Sequence, residues 1–225
     1  MDTPAYPTLP ANASFFTRIR LGLRALMVLK DDPANTYYGP LVNVCLDSGT
    51  YARLARVWRD DPDRRRLLDE RPTLQGPDLD LGALARMPAG SLGRALAQYF
   101  RDNGLEPFVT AFPVRSDVDY LGKRYRETHD IFHVLTGYGV DEAGEMELQA
   151  FVLGNLGLRQ TLLILGFSLP RRLWFKGVRG LGGHLGRLRA AYRRGKRAPE
   201  LLSVRFEDLW AQPVTQLGAR LCGPA

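Results

Sequence analysis

Between Tyr120 and Arg159 two apolar patterns of helical period are interrupted by Gly137-Tyr138-Gly139. A glycine just past the last periodic residue ends a helix, and Asp141 beyond the break offers the side-chain acceptor that caps the next one. The segment therefore predicts an αα-hairpin. The rest of the chain reads the same way, with 15 prolines and 23 glycines scattered as punctuation between short periodic segments.

Phe15, Phe16, Ile19, Leu23, Leu26 and Met27 recur at helical spacing, with Arg18, Arg20, Arg24 and Lys30 largely off that stripe. This predicts a basic amphipathic helix ended at Asp31-Asp32-Pro33. A second helix is expected over Tyr51 to Trp58, before a charged turn at Asp60 to Asp63. Pro88-Ala89-Gly90-Ser91 reads as a turn, with Ser91 capping a helix that carries Leu92, Ala95, Leu96, Tyr99 and Phe100 on one face. No stretch sustains the polar–apolar alternation of a half-buried strand. The expected fold is all-α, a single helical domain over residues 15–225 with a central αα-hairpin, behind a disordered head at 1–14.

A hydrophobic content of 45% in 225 residues is enough for one core of ordinary size. The longest apolar run, Leu162 to Phe167, is far short of the ~20 residues that a spanning helix needs. Cys45 and Cys222 are far apart and form no CxxC pair, so a thiolate cage or disulfide framework is excluded and a reducing cytosol is expected. Met1 to Ser14 holds three prolines and no basic residue, unlike a signal or transit peptide, and the mature chain is expected to begin near Met1. The net charge of +7 predicts attraction to phosphates, acidic lipid headgroups or anionic substrates. It is concentrated between Arg171 and Arg197, where ten Lys or Arg occur with no acid. Nucleic acid is not expected as a partner, because no recognisable reader motif accompanies the charge.

The chemistry is expected at the hairpin. His129 and His133 are four residues apart, so on a helix their imidazoles project about 40° apart and one turn apart along the axis. Both can reach one ion. Asp130 lies about 60° from His133 on the same side, able either to ligate or to take the proton of a ligating imidazole and orient it. Glu145 follows the cap at Asp141 by four residues, as His133 precedes the break at Gly137 by four, so antiparallel helices place the two side by side. Two imidazoles with one or two carboxylates suit zinc, iron(II), manganese or cobalt better than copper(I). Asp141, Glu142 and Glu147 need no metal, since acids in a first helical turn are favoured by its unpaired N–H groups and the macrodipole. His129-Asp130-Ile131-Phe132-His133 differs from the zincin HExxH helix in its shorter acid, and His184 is the only histidine left to supply a further ligand.

The spacing His129-Asp130-Ile131-Phe132-His133, eleven residues and then Glu145 resembles the fourth of the Coq proteins of ubiquinone biosynthesis. The similarity extends through Arg71-Pro72, the Leu84-to-Gly93 segment with its Met87-to-Gly93 turn, Arg124-Tyr125-Arg126-Glu127 and the segment from Arg205 to Leu221, with Phe132 where many members carry Trp. With a composition rich in Ala, Arg, Gly and Leu, this is expected to be a bacterial homologue.

The resemblance implies an all-helical fold and a divalent metal, usually described as zinc, held by His129, Asp130, His133 and Glu145. It further implies oxidative decarboxylation, with hydroxylation at ring carbon one, of a prenylated 4-hydroxybenzoate precursor, with Asp130 and Glu145 as catalytic residues. The alternative is a non-catalytic organiser that binds prenyl lipid. Implied partners are the polyprenylated aromatic substrate, other ubiquinone biosynthesis enzymes and a membrane surface met peripherally from the cytoplasm; a homodimer stays open. Leu169 to Arg189, with Trp174, Phe175, Leu181, Leu185 and Leu188 among arginines, reads either as an interfacial segment or as a basic helix with its apolar side in the core.

Overall fold

The computed structural model describes residues 7, 9–10, 13–32 and 35–223, with the backbone alone at 30, 77 and 167–181. The head expected at 1–14 thus lies largely outside the described residues. In chain order the α-helices are α1 (Phe15–Asp31), α2 (Tyr38–Asp60), α3 (Pro62–Glu70), α4 (Leu81–Ala85) and α5 (Leu92–Asp102). They continue with α6 (Asp117–Thr136), α7 (Glu142–Leu156), α8 (Gln160–Arg197) and α9 (Val214–Cys222). Among the described residues there is no strand, only an isolated bridge between Ser91 and Pro213, and the fold is all-α as the patterning predicts. No described helix is long and apolar enough to cross a membrane.

The chain divides into two compact units, Met1–Gln75 with Phe108–Glu127 and Gly76–Pro107 with Thr128–Ala225. In the first unit, Ser14 caps α1 by accepting from the Thr17 N–H at 3.2 Å. The helix ends at Asp31, as predicted. Its inward face matches the predicted stripe only in part, since Leu26 packs against the core with Leu21 and Leu29 from off the stripe. Ala25 is buried in a core with Tyr37, Leu41, Val42, Val44, Cys45 and Phe112, while Phe15, Phe16, Leu23 and Met27 are exposed. Gly22 is what lets α1 and α2 approach, because a Cβ there would run into Leu46.

The second helix is much longer than the predicted Tyr51-to-Trp58 element, beginning at Tyr38 and passing a non-helical Asp47. Pro40 lies in the first turn of this helix, where proline is tolerated because its missing N–H has no partner to lose. Beyond it, Asp61 caps α3 by accepting from the N–H groups of Asp63 and Arg64. The first half of α6 is anchored in this unit by Arg59 and Arg71, which both donate to Asp117, and by Lys123, whose Nζ lies 2.9 Å from Thr73 Oγ1 and 2.6 Å from Glu127 Oε1.

In the second unit, Ser91 accepts from the Arg94 N–H at 3.3 Å and starts α5, which buries Leu92, Leu96 and Phe100 as its pattern predicts. The basic, glycine-rich region is part of the continuous helix α8, whose packing against α7 is set by small residues. A Cβ at Gly195 would collide with the Phe151 carbonyl, and one at Gly154 with the Tyr192 carbonyl. Because both obstacles are backbone, neither can turn aside as a side chain would. Gly195→Ala is accordingly expected to destabilise the protein by ~1–3 kcal/mol through overpacking, despite alanine's better helix propensity. Chemical denaturation checks it: the midpoint should fall with the m-value unchanged.

Candidate metal centre

The final residues of α6 and the first turn of α7 are held in register by their connection. Gly137 takes φ +77°, the left-handed conformation that suits glycine, and its N–H donates to the His133 carbonyl at 2.9 Å. Asp141 accepts from the Gly144 N–H at 2.8 Å and caps α7, as the sequence predicts. Gly144 packs so closely on the backbone of Gly139 that any Cβ there would clash. The turn thus lies directly on the helical turn that carries Glu145.

The level-matching expectation is met, with His133 Nε2 at 3.1 Å from Glu145 Oε1. His129 Nε2 lies 3.8 Å from Glu145 Oε2, so both histidines face the two oxygens of one carboxylate. Their rings meet edge to face, with centroids 4.9 Å apart. One donor atom from each of His129, His133 and Glu145 can be chosen so that all lie within 4.8 Å of one another. Asp130 is not part of that trio. Its Oδ1 is 3.7 Å from the other nitrogen of His129, Nδ1, which is an ion-pair distance and too long for a hydrogen bond. Asp141 is the cap and Glu147 bonds Arg187 at 2.7 Å, so these acids are occupied elsewhere.

Tyr99 is the group the sequence did not flag as part of the site. Its ring stacks on that of His133, 5.8 Å between centroids and tilted by 24°. The only signal for it was its place on the apolar face of α5. The His133 side chain is fully buried, whereas Glu145 is 36% exposed, so the cluster is closed behind His133 and open at the carboxylate.

Two acceptors flank His133. Its Nδ1 is 2.9 Å from the Tyr138 carbonyl and its Nε2 faces Glu145, and a neutral imidazole has one N–H to offer. Burial pulls the pKa of His133 down, but the hydrogen bond and charge of Glu145, the Tyr138 carbonyl and the charge of Asp130 outweigh it and raise the pKa above its ordinary 6.5. The arrangement calls for positive charge between Nε2 and the carboxylate, supplied by a proton or by a metal ion. With Nδ1–H donating to Tyr138, Nε2 is the nitrogen presented to an ion, the tautomer-fixing arrangement usual for ligating histidines. Two imidazoles and a carboxylate fit a divalent ion of the zinc or iron(II) type.

Fold and site together define an all-helical protein with a His-His-Glu cluster across an antiparallel hairpin. The family model described as coenzyme Q (ubiquinone) biosynthesis protein Coq4 matches residues 39–222, and the chain belongs to that family. It is 34% identical over 172 residues to the mitochondrial ubiquinone biosynthesis protein COQ4 homolog of Danio rerio, covering 75% of this chain and 62% of that protein. With the Homo sapiens homolog it shares 33% over 194 residues, covering 83% and 72%. A crystal structure from Nostoc punctiforme PCC 73102, of a protein assigned to ubiquinone biosynthesis, superposes with a TM-score of 0.71 at 27% identity, covering 92% of this chain and 99% of that one.

The raised pKa of His133 has a consequence for the protein in chelator. Since the folded-state value lies above the unfolded one, the stabilisation is fully present below the ordinary 6.5 and is lost as pH rises through the folded value. Thermal midpoints of the metal-free protein should therefore fall as pH rises from 6.5 upward, and Glu145→Gln should flatten that slope. An equally steep slope in the variant would show that another group is responsible.

Proposed function

We propose that this chain acts in ubiquinone biosynthesis and that its hairpin cluster carries out oxidative decarboxylation of a polyprenylated 4-hydroxybenzoate precursor. The observation that carries the reading is the convergence of His129, His133 and Glu145, open at the carboxylate, in a chain of this family. A bound divalent ion supplies Lewis acidity toward the ring's carboxylate or phenolate, to which iron, manganese or cobalt adds redox capacity that zinc lacks.

His129 and His133 hold that ion and Glu145 completes the donor set. The Tyr138 carbonyl and the Tyr99 ring keep His133 in one orientation. Asp130 serves as the base for the phenol proton, and its charge near His129 Nδ1 helps hold that ring. In the net reaction the carboxylate leaves as carbon dioxide and a hydroxyl takes its place. Dioxygen is the oxidant, accepting the two electrons released and becoming hydrogen peroxide, with one water consumed.

The tail of such a substrate calls for a peripheral position on a membrane among other ubiquinone enzymes. Of the interfacial segment Leu169 to Arg189, the side chains through Leu181 lie outside the described residues; Leu185 is exposed and Leu188 buried. The better-supported docking face is α1, where exposed Phe15, Phe16, Leu23 and Met27 accompany exposed Arg20 and Arg24. Phe16→Ser with Met27→Ser should reduce sedimentation with anionic vesicles, and unchanged sedimentation would remove α1 from this role.

Incubation under air with a prenylated 4-hydroxybenzoate, with metal quantified in the same sample, tests the chemistry. Wild-type protein should release carbon dioxide. His133→Ala and Glu145→Ala should lose metal and turnover together while keeping the helical spectrum. Metal-loaded wild type that leaves the carboxylate in place would favour the non-catalytic organiser, and full turnover by metal-free variants would sink the site assignment.

A further inference from the structure

The second unit contains a cavity of ≈ 620 Å³ between the last turns of α8, the end of α9 and the hairpin turn. Five arginines line it: Arg187, Arg193, Arg194, Arg197 and Arg220. The only acid among its lining residues is Glu147, which already receives a bond from Arg187 Nε at 2.7 Å. Arg194 is also committed. It donates to the carbonyls of Cys222, Thr136 and Gly223 at 3.0, 2.8 and 3.0 Å, and its guanidinium lies over the Tyr138 ring at 5.4 Å. Arg194 is therefore part of the wall.

Arg193, Arg197 and Arg220 differ from these two. All three are exposed, and no hydrogen bond or ion pair engages them among the described residues. Guanidinium groups stay charged at any working pH, so three of them around one cavity repel one another unless an anion lies between them. A monocarboxylate would neutralise only one. A phosphate or diphosphate brings the charge and the multiple acceptor oxygens that several planar forks can grip together. The volume is in the range of small-molecule sites, roughly 300–1,000 Å³.

We propose that this cavity binds a phosphate- or diphosphate-bearing ligand through Arg193, Arg197 and Arg220, against the wall that Arg194 builds. The site depends neither on a metal at the hairpin nor on the reaction proposed above. It does share the turn, since Tyr138 lies under Arg194 and also accepts from His133 through its carbonyl.

Isothermal titration of the full chain with pyrophosphate tests the proposal, in a Glu145→Ala background so that a metal at the hairpin contributes nothing. Saturable binding is expected. Arg193→Gln, Arg197→Gln and Arg220→Gln together should weaken it by about a hundredfold or more, at about tenfold for each of at least two lost charge-assisted contacts. The matched control, Arg53→Gln, Arg56→Gln and Arg86→Gln, removes the same charge at exposed positions outside the cavity and should leave binding within about twofold. Unchanged thermal midpoints in both triple variants separate lost binding from lost folding. Competition by phosphatidylcholine vesicles containing phosphatidic acid, but not by phosphatidylcholine alone, would identify a lipid headgroup as the source; failure to compete would identify a free phosphate compound. Absence of saturable binding, or equal loss in the control, overturns the site and leaves only diffuse surface charge.

Discussion

The crossing from α6 to α7 at 137–141 decides where Glu145 stands relative to the two histidines. On a helix, a shift of one residue rotates a side chain by about 100°, enough to carry a carboxylate off the face where it meets its partner. Three features prevent that shift: the left-handed turn at Gly137, the cap that Asp141 places on α7, and the backbone approach of Gly139 to Gly144. None of them touches the donor atoms. Each removes an alternative path for the chain, so the 3.1 Å approach of His133 to Glu145 follows from backbone geometry before any ligand is considered.

The same geometry makes the pocket behind His133 electrostatically incomplete. Its imidazole is buried, stacked against Tyr99 and faced on both nitrogens by acceptors, so the neutral ring satisfies only one of them. Removing a polar side chain from water costs free energy unless its partners are matched. The mismatch ends when positive charge occupies the gap at Nε2. A proton on Nε2 would close the gap and so would a divalent ion, so the two would compete for one nitrogen. The carboxylate of Glu145 is the exposed side of the cluster and the imidazole of His133 the buried one.

Much of this was legible in the sequence because the signals are local. Helical spacing placed His129 and His133 on one face, a glycine and a capping aspartate marked the turn, and equal counts on either side of it matched the levels of His133 and Glu145. What was not legible depended on which surfaces meet. The stripe from Phe15 to Met27 is genuine, yet only part of it turns inward: Leu26 packs on the core beside Ala25, Leu21 and Leu29, with Gly22 allowing the close approach, while Phe15, Phe16, Leu23 and Met27 are exposed. The helix expected over Tyr51 to Trp58 begins as early as Tyr38, with Pro40 in its first turn, where proline costs no hydrogen bond. Tyr99 reaches His133 only through tertiary packing, and Asp130 was equally able to join the donors or stand beside them until the helix placed it nearer His129 Nδ1.

The excess of basic residues shows the same limit from another side. Arg193 and Arg194 are adjacent and contribute equally to the net +7, but they do opposite things. Arg194 turns inward and spends its donors on carbonyls at the ends of α6 and α9, where helices leave C=O groups without intrahelical partners and where a cation also meets the negative end of the macrodipole. Its charge is part of the fold: without it, Thr136, Cys222 and Gly223 would each need another donor, and the turn under Tyr138 would lose its cover. Arg193 keeps its charge for whatever enters from solvent. A basic stretch therefore divides, residue by residue, into charge consumed by helix ends and charge left available. Only the second part attracts a partner, and it is that part which faces the cavity shared by α8, α9 and the hairpin turn.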